Sequence, residues 1–152
     1  MNKVWAYTIS KNLSDSETDQ LIDSGKKFVS GWTAHEHQLS ASFTIFKKRI
    51  VLIQVDETVA EASGCSIDKL MHFIKDTEKQ FQMELLNRFL IPYKKGENIE
   101  VTHSSKIKAM LENKEITEDT LIYNTAVANS KELEAWEQAL KSTWLNKYLV
   151  KA

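Results

Sequence analysis

The chain has 152 residues, 42% hydrophobic and 27% charged, the composition of one globular domain large enough to fold without a disulfide or a structural metal. Its 20 basic residues are balanced by 21 acidic ones for a net charge of −1, so nothing in the composition draws it toward nucleic acid or an anionic membrane. A single cysteine, Cys65, excludes an intramolecular disulfide and fits a reducing compartment.

Residues 1–7 run directly into an apolar alternation without the long apolar core of a signal peptide. No apolar run approaches the roughly 20 residues needed to span a bilayer, so a cytoplasmic location is expected. Residues 3–10 set Val4, Ala6 and Thr8 against Trp5, Tyr7 and Ile9, with bulk on both faces, which predicts a central strand. Ser14 and Glu17 form a capping-box pattern, followed by Leu21, Ile22, Gly25, Phe28, Val29 and Trp32 at helical spacing, with Gly31 as the stop. Leu39, Ala41, Phe43 and Ile45 then alternate with polar residues, as in a strand with one buried face. Lys47-Lys48-Arg49 reads as a solvated hairpin turn into Ile50-Val51-Leu52-Ile53, an interior strand apolar on both sides.

Ser66 is the expected N-cap of a second helix carrying Ile67, Leu70, Met71, Ile74, Phe81 and Leu85, with Gly64 at positive φ before it and Asp68 in its first turn. Residues 88–93 read as a short strand, and Pro92, which has no N–H to donate, places it at a sheet edge. The order strand, helix, strand, strand, helix, strand predicts an α+β fold with a ferredoxin-like antiparallel sheet over residues 1–95, the first and third strands central. Residues 96–152 add a helix capped by Ser104 or Ser105, a strand over 120–128 and a last helix from Ser130. That helix would carry Leu133, Trp136, Leu140, Trp144 and Tyr148, with Trp136 and Trp144 on one face. The whole of 1–152 is expected to be one domain, the extension packed on the core.

The stretch Ser63-Gly64-Cys65-Ser66-Ile67-Asp68 is the leading candidate site, because it sets the lone thiol at a helix start. A helix end contributes only up to about 1 kcal/mol toward an anion. An activated nucleophile therefore needs a cation such as Lys69 or Arg49, or a histidine, nearby, and Asp68 opposes it. In a thiol enzyme Cys65 would attack, Ser66 and adjacent amides would hold an oxyanion, and His35 or His37 would serve as base. In an extended segment, His35 and His37 would also project from one face as a candidate metal pair. They need a third ligand from His72, His103, Asp56 or Cys65, and without one no metal is assigned. Trp32, His37, Asp68 and Arg88 are candidate binding residues; Arg88 either pairs with Glu84 one helical turn earlier or takes an anion.

No phosphate-binding loop, dinucleotide turn, nucleophile elbow or C-x-x-C pair occurs, and no cofactor is called for. Together, Gly31-Trp32-Thr33-Ala34-His35, the paired strands, Ser63-Gly64-Cys65-Ser66-Ile67-Asp68 and Asn87-Arg88 resemble a family of short bacterial proteins of uncharacterised function. Those proteins are often labelled ABC transporter ATPases. The resemblance spans nearly the whole chain and assigns no residue a role, and the ATPase label is not carried over, since the phosphate-binding loop is missing.

The expectation is a non-catalytic binding or protein-interaction domain, homodimeric through an apolar sheet face containing Trp5, Tyr7, Phe46, Ile50 and Leu52. A small ligand is the other partner considered. The alternatives are the Cys65 enzyme and the His35/His37 metal protein.

Overall fold

The computed structural model describes residues 2–149. In chain order they form β1 (Lys3–Thr8), α1 (Asp15–Ser30), β2 (Thr33–Ala34), β3 (His37–Gln38), β4 (Ala41–Phe46), β5 (Ile50–Val55), α2 (Gly64–Phe81), β6 (Leu90–Lys95), β7 (Asn98–His103), α3 (Ile107–Glu112), β8 (Leu121–Tyr123), α4 (Ser130–Glu134) and β9 (Glu137–Ala139). The strands form two larger antiparallel sheets, ordered β1-β5-β4 and β7-β6-β8-β9, plus the small β2-β3 hairpin. The molecule is a mixed α and β structure, and among its described residues no helix is long and apolar enough to cross a membrane.

The first sheet follows from its patterning. β5 is apolar on both faces and lies in the middle, between β1 and β4. Val51, Ile53 and Val55 face α1 and α2, where they pack with Leu21, Val29, Leu70, Ile74 and Phe81. Ile50 and Leu52 face the other way. Helix α1 starts at the expected box, with Ser14 Oγ accepting from Glu17 N and Glu17 Oε1 accepting from Ser14 N. It also lies close against β4, because Gly25 leaves room for the Phe43 ring. The β4-β5 turn has positive φ at Lys47 (48°) and Lys48 (64°), the geometry of a tight hairpin.

Several expectations are corrected here. β1 is not central: it sits at the end of its sheet, and Leu90–Lys95 pairs instead with β7 and β8 in the second sheet. That strand is not an edge either. Ser104 N donates to Phe89 O (2.7 Å), so by alternation the backbone groups of Ile91 and Tyr93 face β7, and those of Leu90 and Pro92 face away. Pro92 therefore interrupts no ladder with β7, and β8 joins β6 only at Tyr93.

Arg49 does not belong to a solvated turn. It is 6% exposed, donating to Asn12 Oδ1 (2.9 Å) and Ile9 O (3.1 Å) and so tying the loop after β1 to the hairpin. The long last helix is also absent from the described residues. Helix α4 ends at Glu134, β9 pairs with β8, and two short 3-10 turns follow, Leu140–Ser142 and Trp144–Tyr148. Thr143 breaks the periodicity, its hydroxyl donating to Leu140 O and accepting from Leu145 N, a local bonding pattern that competes with helix.

The apolar face expected to be open is covered. Val4, Ile50 and Leu52 pack against Ile99, Tyr123 and Val127, joined by Ala6, Phe46, Leu133 and Trp136, so the second sheet closes over the first. Phe46, Tyr123 and Trp136 meet as an aromatic triad with ring centroids 5.1–5.5 Å apart. Trp5 and Tyr7 were assigned to this face and lie on the opposite one, in register with Ile53 and Val51. The face that motivated a homodimer is thus buried within the chain. The expected domain runs to residue 152, and its positions 1 and 150–152 lie outside the described residues.

Gly25→Ala is expected to destabilise the protein. The alanine gains about 1 kcal/mol of intrinsic helix preference. Its Cβ would overlap the buried Phe43 ring, an overpacking that costs typically about 1–3 kcal/mol. Chemical denaturation should give a lower midpoint with an unchanged slope; an equal or higher midpoint would mean that α1 moves off β4 freely.

Candidate functional site

Two of the segments singled out in the sequence meet. Trp32 follows α1 directly and is 1% exposed, and its indole N–H donates to Ser66 O at 2.8 Å in the first turn of α2. Its ring packs on Trp5 and Phe28, and Phe28 stacks on Phe73 at 4.4 Å. Burying an indole without a partner for its N–H is costly, so this bond fixes where α2 starts relative to α1.

The α2 start differs in detail from expectation. The N-cap is Ser63, and Ser66 is the reciprocal partner: Ser66 N donates to Ser63 Oγ (3.2 Å) and Ser63 N to Ser66 Oγ (2.7 Å). Gly64 is not at positive φ but opens the helix, and Asp68 lies beyond the first turn, which holds no acidic residue. Ser66 is fully buried, and its hydroxyl also donates to Ser63 O (2.8 Å), so it is committed to the cap and not poised for an oxyanion. Trp32 is likewise buried, with its indole N–H bonded to Ser66 O.

Cys65 is exposed and free, and it has no hydrogen-bond partner among the described residues. His35 is not extended. His35 (φ 50°) and Glu36 (φ 68°) form the tip of the β2-β3 hairpin, so the same-face argument for His35 and His37 fails, and both side chains are exposed. Gln38 Nε2 anchors the hairpin by donating to Val29 O, Trp32 O and Leu39 O at 3.1–3.2 Å. Among the described residues no group of three or more His, Cys, Asp or Glu side chains is placed to hold a metal ion.

Arg88 belongs elsewhere. Helix α2 ends at Phe81, with Gln82 as a left-handed cap, so Glu84 and Arg88 are not one helical turn apart; Glu84 instead accepts from Asn87 Nδ2. Arg88 is exposed, makes no ion pair among the described residues, and lines a cleft of about 640 Å³. One side of this cleft is β1. The others are the loop 85–88, the first half of β6 and the segment 123–128, with the exposed side chains of Met71 and Trp144 at the rim. Lys3 and Arg88 are the only charged residues among those that line it, and no carboxylate does.

The backbone of β1 gives the cleft its chemistry. Ile9 N donates to Arg49 O (2.8 Å) on the β5 side, so the groups of Trp5 and Tyr7 also face β5 and those of Val4, Ala6 and Thr8 face the cleft. Val4 N reaches Ala128 O (3.0 Å) at one end, and Ser10 N reaches Glu84 O (3.1 Å) at the other. Between them Ala6 and Thr8 join no strand ladder on that side. Across the cleft, the first half of β6 offers β1 no free backbone donor. On its outward edge Leu90 N is already bonded to Asn87 O (3.3 Å), and Pro92 has no N–H.

Sequence reading found Arg88 and Pro92 but not the cleft they share. Met71 was assigned to the apolar stripe of α2, yet it is 37% exposed, and Trp144 was assigned to a helix face, yet it is 47% exposed. The usable signal was Met71 standing next to Leu70: only one of two adjacent residues can centre on a helix stripe.

Burial pushes the Tyr7 phenol, at this cleft, up to about 12, and burial together with Glu137 raises Tyr123 as well. Unfolded phenols ionise near 10, so the folded state holds the proton more tightly. This stabilisation is complete below about pH 10 and is lost as pH rises through 12. Denaturation midpoints should be flat from pH 8 to about 10 and fall above it, with tyrosinate absorbance lagging that of free tyrosine; a tyrosinate titration complete near pH 10 would contradict the burial. Separately, Cys65 should be alkylated stoichiometrically by iodoacetamide without denaturant, as its exposure requires; labelling only on unfolding would contradict it.

No family model matches the chain, no curated protein matches it, and no solved structure matches its fold.

Proposed function

We propose that the protein is a non-catalytic binding domain and that its site is the cleft along β1. The observation that carries this reading is the convergence there, on an apolar-walled cleft, of the exposed side chains of Met71 and Trp144 and two cations without a carboxylate. Concave sites with mostly apolar walls and a few placed polar groups are where proteins bind ligands. The ligand class this favours is apolar and anionic. We read the first sheet with α1 and α2 as a ferredoxin-like plan whose fourth strand, β6, has been drawn into the second sheet. The order β1-β5-β4 and two helices on one face support that reading, and the cleft then lies where the fourth strand would have paired.

The thiol reading has less support: Cys65 is accessible but has no partner, and Ser66 is spent on the helix cap.

The probe for the cleft is 8-anilinonaphthalene-1-sulfonate, which is both apolar and anionic. Saturable one-to-one binding is expected. The amide shifts should be confined to β1, residues 85–92 and residues 123–128, and Trp144→Ala and Arg88→Ala should each weaken binding by about threefold to tenfold. No saturable binding, or shifts centred on the β2-β3 hairpin and Cys65, would overturn the assignment of the site.

A further inference from the structure

Resting on that site, we infer that the occupant of the cleft is a small aromatic carboxylate, its carboxylate taken by Lys3, Arg88 and the Tyr7 phenol and its ring by Met71 and Trp144. Three observations single out this class among apolar anions.

The first is which donors are already spent. In one wall Leu85 N and Leu86 N both donate to Glu78 Oε2 (2.8 and 3.1 Å), and Leu90 N donates to Asn87 O. In the other, Asn124 N donates to Trp136 O, Ala126 N to Asn124 Oδ1 and Ala128 N to Glu132 Oε1. A phosphate is characteristically cradled by successive free amides, at a helix N-terminus or a backbone nest, and these amides are committed elsewhere. Side chains must read the anion.

The second is the side chains that remain. Lys3, Trp5 and Tyr7 share one face of β1 by strand alternation, and the Lys3 ammonium lies over the Trp5 ring at 5.8 Å. Lys3 and Arg88 make no ion pair among the described residues. Burial alone acts on the Tyr7 phenol, without a hydrogen-bonding or charged neighbour. Its oxygen is not sealed off, because Arg49 Nε is the one buried side-chain polar atom lacking a partner among the described residues. A phenol that keeps its proton donates to a carboxylate in a charge-assisted bond, and a guanidinium fork matches the two carboxylate oxygens. A sulfonate, the anion of a far stronger acid, is a poorer acceptor for the same phenol.

The third is the rim. Met71 and Trp144 are its exposed apolar side chains, and a thioether sulfur and an indole both gain more from a ring than from an alkyl chain. At about 640 Å³ the cleft falls within the range of small-molecule sites, roughly 300–1,000 Å³.

The test uses the full chain and titration calorimetry with 2-naphthylacetate. Octanoate and 2-naphthyl phosphate are the comparators, and 8-anilinonaphthalene-1-sulfonate is the reference for the cleft itself. Naphthylacetate should bind one-to-one and displace the dye, and octanoate and naphthyl phosphate should each bind about fivefold or more weakly. Tyr7→Phe should weaken naphthylacetate about tenfold and the dye less than about twofold, because the phenol matters most to the better acceptor. This substitution removes an atom without a partner in the free protein, so the variant should fold, and an unchanged melting temperature near neutral pH would verify it. The inference is overturned if octanoate or naphthyl phosphate binds as tightly as naphthylacetate, or if Tyr7→Phe leaves naphthylacetate unaffected. It is equally overturned if the dye binds and naphthylacetate does not, which would leave the cleft as a binding site and remove only the carboxylate. If neither binds, the assignment of the site falls with it.

Discussion

The structure depends on β5 being apolar on both faces. A strand of this kind must be covered twice, and the chain covers it with different material on each side: α1 and α2 over Val51, Ile53 and Val55, and the second sheet over Ile50 and Leu52. At roughly 25 cal/mol per Å² of apolar surface removed from water, exposure of either face would outweigh any single cap or ion pair in the molecule. The C-terminal third is therefore not an ornament on a finished core. It supplies Ile99, Tyr123, Val127 and Trp136, without which one face of the first sheet would lie in water.

This division of labour accounts for the cleft. β6 pairs with β7 on one edge and meets β8 at Tyr93 on the other, and the first half of that outward edge has no free donor: Leu90 N–H bonds within its own turn and Pro92 has none. β1 is left with a ladder on one edge and, on the other, bonds at its two ends to Ala128 and Glu84. No carboxylate is among the residues that line the cleft, in a chain with slightly more acid than base.

The Trp32–Ser66 bond plays a different part. It joins the end of α1 to the start of α2 through one buried donor, and it explains why the two segments that looked functional in the sequence belong together. The reason is structural: the indole fixes a helix start, and the serines around Cys65 satisfy one another. The thiol is left exposed, with no hydrogen-bond partner among the described residues.

Much of the first half was legible because its signals are local. The Ser14–Glu17 box, the two-sided apolarity of β5, the Lys47-Lys48 turn and the spacing of Leu70, Ile74 and Phe81 each depend on neighbours within one turn or one strand. The second half was less so. Leu133, Trp136, Leu140 and Trp144 have the spacing of a helix, but pairing of 137–139 with β8 and the local hydroxyl bonds of Thr143 break it. The strand Asn98–His103 announces itself only through the Gly96 turn before it. Sequence alone determined the mixed α and β character, the start of α1 and the interior place of β5, since these follow from periodicity and capping. Tertiary structure alone decided which sheet received β6 and which face stayed open. Those outcomes depend on competition between distant strands for the same hydrogen bonds, and no local pattern records the winner.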